Sequence, residues 1–100
     1  MGLGDAIVTL RKKKNMLQKD LAAKANISSP HLSLIEQDKT DVNMKTLAAI
    51  AVALDVPLPI LFFKSMSDED VPENKRDNYG MISSMINGLV DNTFLKDSNK

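Results

Sequence analysis

The sequence predicts an all-α protein: five short helices, then a polar stretch, then a sixth helix. Three observations carry this. Apolar residues recur at three- and four-residue steps in successive segments, which is the period of a helix face. No segment sustains the alternation of a half-buried strand, and β-branched residues are scattered singly. Residues that start and stop helices fall between the periodic segments. With 100 residues, 43% of them hydrophobic, the chain can pack one core with an appendage, but it is too short for a barrel enzyme or a doubly wound sheet.

The first helix is read from Leu3 to Lys14, where Ala6, Ile7 and Leu10 keep helical spacing and Arg11 falls one turn after Ile7. It stops near Asn15. Leu17, Leu21, Ala22 and Ala25 mark a second, shorter segment ending at Asn26, a residue that tolerates the left-handed conformation of a helix end. A third opens at Ser28, with Pro30 in its first turn where a missing N–H costs nothing, and runs to about Gln37. Asn43 caps a fourth, whose stripe is Met44, Leu47, Ile50, Ala51 and Leu54, and Asp55 ends it. The fifth starts between Pro57 and Pro59 and is expected to bury Leu58, Leu61 and Phe62.

Residues 1–64 are therefore one domain, residues 65–78 a polar linker, and residues 79–97 an amphipathic helix striped by Met81, Ile82, Met85, Ile86, Leu89 and Val90. So wide a stripe needs cover, and Ile82, Met85, Ile86 and Leu89 are assigned to oligomerisation. Ser84 and Gly88, four apart, would permit a close helix crossing.

Composition excludes several classes of function. The 13 basic and 13 acidic residues cancel, so net charge selects no polyanionic partner. The distribution is uneven: eight basic against six acidic residues in 1–63, five against seven in 64–100. The absence of cysteine removes disulfide scaffolds and thiolate chemistry. The start, Met-Gly-Leu-Gly-Asp-Ala, lacks a basic region before an apolar run, and Ala6 stands where a myristoylation motif wants Ser or Thr. The apolar stretch Leu47 to Phe63 is interrupted by Asp55, Pro57 and Pro59 and is shorter than a span needs. A cytoplasmic location with no membrane partner is expected. His31 is the only histidine and has no second ligand at metal spacing, and nothing resembles a nucleophile elbow. No enzyme, metal or cofactor is therefore expected.

The second and third segments, joined by Asn26-Ile27-Ser28, have the layout of a helix-turn-helix. Four strings sharpen it: Leu10-Arg11-Lys12-Lys13-Lys14, Leu17-Gln18-Lys19-Asp20-Leu21-Ala22-Ala23-Lys24-Ala25-Asn26-Ile27-Ser28, Leu32-Ser33-Leu34-Ile35-Glu36, and Leu47 through Pro57. In order, spacing and residue type, residues 3–63 resemble the lambda-repressor/Cro-type helix-turn-helix family, also called xenobiotic-response-element-like. The resemblance implies a five-helix DNA-binding domain and a transcriptional regulator, more often a repressor, that binds double-stranded DNA as a homodimer. It departs from the family pattern at Asn26 and Asp55, where glycine is usual.

On a wheel of about 100° per residue, Leu32 and Ile35 define the buried side of the third helix. Ser29, Pro30, Ser33, Leu34 and Gln37 then fall on its outer face or flank and become the candidate base readers, with Leu34 suited to a thymine methyl. That helix carries no arginine, so bidentate reading of guanine is absent from it. The resemblance further implies that Gln18, at the start of the second helix, anchors a phosphate. Ser28, His31, Lys39 and Lys45 are the other candidate phosphate contacts. It also implies an ion pair between Arg11 and Glu36. Two other readings fit the same residues: the antitoxin of a toxin–antitoxin pair, with a protein partner on the last helix, or a protein-interaction module without base readout.

Overall fold

The computed structural model describes residues 2–95, and these are all-helical, with no strand among them. They form α1 (Leu3–Lys13), α2 (Gln18–Ala25), α3 (Ser29–Glu36), α4 (Met44–Ala53), α5 (Leu58–Ser65) and α6 (Arg76–Val90). Two single 3₁₀ turns, Asp68–Asp70 and Glu73–Lys75, precede α6, and a π-helical turn, Asp91–Leu95, follows it. The chain divides into two units, Met1–Ser65 and Met66–Lys100.

One local device ends four helices in the first unit. Asn15, Asn26, Asp38 and Asp55 all take positive φ, between 57 and 61°. After each, the next N–H reaches back five residues: Met16 to the Arg11 carbonyl, Ile27 to Ala22, Lys39 to Leu34 and Val56 to Ala51, at 2.9–3.1 Å. This is the Schellman arrangement, which satisfies carbonyls left open by the last turn. Glycine is its usual occupant; Asn and Asp are the side chains that best tolerate the left-handed region. Helix starts are equally local. The Ser28 hydroxyl accepts from the His31 N–H at 3.1 Å, and the Asn43 side-chain oxygen accepts from the Thr46 N–H at 2.8 Å.

The core of this unit is Ile7, Leu10, Leu21, Leu32, Ile50, Leu54 and Leu61, each essentially without exposure, with alanines 6, 22, 25 and 51 letting helices approach. α1 packs on α3 and α5, α2 on α3 and α4, and α4 on α5. No single helix among the described residues is long and apolar enough to cross a membrane, and α4 and α5 meet at a bend of 100°.

Several expectations need correction. Leu17 is exposed because it precedes α2 as its cap residue instead of standing on the helix face. Met44 is also exposed: it is the first residue of α4, and a helical side chain leans toward the N-terminus, here past the end of the stripe. In α5 only Leu61 is buried, Leu58 is half-buried and Phe62 is exposed, because the short helix turns one narrow face to α1 and α4. The segment read as plain linker is partly folded. Asp70 accepts from the Ser67 N–H at 2.8 Å, Arg76 donates to the Val71 carbonyl at 3.1 Å, and α6 begins at Arg76, not at 79. Positions 96 and 97 of the expected last helix lie outside the described residues. In α6, Ile86 is half-buried and Val90 buried, which removes Ile86 from the open side assigned to oligomerisation.

Candidate nucleic-acid interface

α3 is held by a polar network on its inner side. The Arg11 Nε donates to Glu36 Oε2 at 2.8 Å and its Nη2 to Oε1 at 3.1 Å, a bidentate pair, while Nη1 donates to the Met16 carbonyl at 3.0 Å. Gln18 Nε2 donates to Glu36 Oε1 at 2.9 Å. Among the described residues Glu36 is the one buried charged residue, its side chain 4% exposed against 12% for Arg11. One carboxylate at the end of α3 therefore ties it to the last turn of α1 and the first residue of α2. The helices α2 and α3 are fixed to each other by the one charge-assisted bond from Gln18 to Glu36 as well as by Leu21, Leu32 and Ile35.

A second clamp was not read from the sequence. Asp38, just beyond α3, accepts from the Gly4 N–H at 3.0 Å and so caps α1 from a distance in sequence of 34 residues. Gly4 allows this contact: a Cβ built there would collide with the Glu36 carbonyl oxygen. A Cβ at Gly2 would meet the Asp38 carboxylate at 2.6 Å. The pair of glycines at the head of a helix was the available signal, but only the fold brings α3 to them.

With its inner side committed, α3 turns the expected residues outward. Pro30, Leu34 and Gln37 are exposed, Leu34 at 44%, while Ser29, His31 and Ser33 are half-buried. Gln37 caps the helix, and its Nε2 donates to the Ser33 hydroxyl at 2.9 Å and the Ser33 carbonyl at 3.1 Å. Two candidate base readers are thus coupled, and Gln37 presents its amide oxygen. Ser28, Lys39 and Lys45 are exposed. Gln18 is half-buried, with its amide nitrogen already engaged by Glu36. Among the described residues no group of three or more His, Cys, Asp or Glu is placed to hold a metal ion.

A short helix with an open outer face, braced from behind by a second helix across a tight turn, has the layout of a helix-turn-helix. Residues 7–61, over half of the chain, match the helix-turn-helix family model. The chain belongs to that family, in its Cro/C1-type branch. Over 56 residues it is 39% identical to the immunity repressor protein of Bacillus phage phi105, an alignment covering 56% of this chain and 39% of the phage protein. The chain thus spans about two fifths of that relative. The fold is also that of the clp gene regulator ClgR from Corynebacterium glutamicum, with a TM-score of 0.62 at 17% identity, over 94% of this chain and 92% of ClgR.

Proposed function

We propose that the protein is a sequence-specific repressor that binds a near-palindromic operator as a homodimer, placing two copies of α3 in successive major grooves about 34 Å apart. It acts without catalysis. Ser29, Pro30, Ser33, Leu34 and Gln37 read base edges, and Ser28, His31, Lys39 and Lys45 hold phosphates, with Gln18 contributing what its bond to Glu36 leaves over. The observation that carries this reading is the outward face of α3, kept uncharged and open while its last residue, Glu36, is locked to α1 and α2. The likeness to a phage immunity repressor supports the repressing direction. Dimerisation is assigned to α6, where Met81, Ile82, Met85 and Leu89 are exposed.

Selection of bound sequences from random duplex DNA tests the reading, and failure to enrich any site refutes it. On an enriched site the two groups of residues should fail differently. Lys39→Ala should weaken all duplexes alike and reduce the salt slope by about one unit. Gln37→Ala should lose about 1–3 kcal/mol on the selected site and little on random duplex. Equal losses on both, read by fluorescence anisotropy, would remove Gln37 from base readout.

A further inference from the structure

The open face of α6 contains the largest cluster of exposed apolar side chains in the described residues: Met81 at 69%, Ile82 at 53%, Met85 at 68% and Leu89 at 64%. At about 100° per residue, Met81 and Leu89 lie about 40° to either side of Met85, and Gly88 and Ile82 about 60° to either side. Gly88 carries no side chain on this face, and a Cβ built there would meet open space.

We propose that a second copy of this chain covers the face, its α6 running antiparallel across a two-fold axis at Met85. The proposal rests on the dimer reading above and specifies its geometry. Three features favour a second copy over a foreign protein. Residues 78–90 contain no Asp, Glu, Lys or Arg, so the face offers nothing to a charged partner and meets no repulsion from itself. The large and small positions are self-complementary, as an isologous interface requires. Two copies bring together eight apolar side chains that are each more than half exposed, which removes on the order of 1,000 Å² from water, the threshold of a specific interface.

Orientation follows from the distribution of volume. In the antiparallel arrangement Ile82 meets Leu89 of the partner subunit and Met81 lies over Gly88 of the partner subunit, once at each end. Each end then holds one large pair and one large-on-small pair, and the helix axes keep an even spacing. A parallel pair would crowd Met81 against Ile82 twice at one end and set Leu89 on Gly88 twice at the other, splaying the helices.

The chain has no cysteine, so Asn78→Cys, an exposed position, takes a single spin label in the full chain. Dipolar electron paramagnetic resonance on the dimer isolated by sedimentation should give about 20–25 Å between labels, from about 1.5 Å rise per residue along two antiparallel helices. Strong broadening from labels about 10 Å apart, the interaxial spacing of packed helices, would overturn the antiparallel geometry and leave the dimer standing. A monomer at all concentrations would overturn both, without touching the separate selection of DNA sites. As a second test, Gly88→Leu should raise helicity yet weaken the dimer at least tenfold, about 1.4 kcal/mol, and adding Met81→Ala should restore it. Dimer affinity unchanged by Gly88→Leu would refute the seat for Met81.

Discussion

Removing the Glu36 carboxylate is the sharpest perturbation of the architecture that presents α3. In Glu36→Ala three donors lose their acceptor: Arg11 Nε, Arg11 Nη2 and Gln18 Nε2, now at 2.8–3.1 Å. The guanidinium keeps the Met16 carbonyl but is otherwise stranded behind α1, where its side chain is only 12% exposed. Breaking a fully buried pair by removing one partner costs about 3–5 kcal/mol. Water reaches Arg11 slightly, so the lower end, about 3 kcal/mol, is the expected loss. At about 4–8 °C per kcal/mol for a domain of this size, the melting temperature should fall by about 12–24 °C. Thermal melts by far-ultraviolet circular dichroism and urea titration measure it, with an unchanged urea slope showing that stability alone has moved. The charge-free double variant Arg11→Met/Glu36→Leu should recover most of the loss, because no ion is left without a partner. A loss below about 1 kcal/mol in Glu36→Ala would mean the pair behaves as a surface feature, and the account of how α3 is held would be wrong.

The two glycine environments should respond with opposite signs. Gly4→Ala gains helix propensity but drives a Cβ against the Glu36 carbonyl, and should destabilise by about 1–3 kcal/mol in urea titration. Gly80→Ala, where a Cβ meets open space, should be neutral or stabilising by up to about 1 kcal/mol. The left-handed caps offer a matched pair as well. Asp55→Gly should be neutral or stabilising by about 1 kcal/mol because it relieves positive φ alone. Asp38→Gly relieves the same strain but removes the acceptor of the Gly4 N–H, and should come out less stable than Asp55→Gly by about 1 kcal/mol.

Much of the first unit was legible in the sequence because its causes lie within a few residues. Asn15, Asn26 and Asp55 mark helix ends because a side chain that tolerates positive φ closes each terminus. Ser28 and Asn43 mark starts because each cap bond spans three residues. The stripe Leu47, Ile50, Ala51 and Leu54 marks a buried face because helical spacing is local. The outward side of α3 followed from Leu32 and Ile35 by the same logic. Features that depend on a neighbouring element became visible only once the helices were packed. Phe62 looks like a core residue in the sequence, yet α5 turns one narrow face to α1 and α4 and leaves it exposed. Ile86 shares the stripe of α6 with Met85 but is half-buried where Met85 is open. The bond from Gly4 to Asp38 and the bond from Gln18 to Glu36 join residues 34 and 18 positions apart, and no period or spacing along the chain encodes a contact whose partners meet only after α1, α2 and α3 have packed.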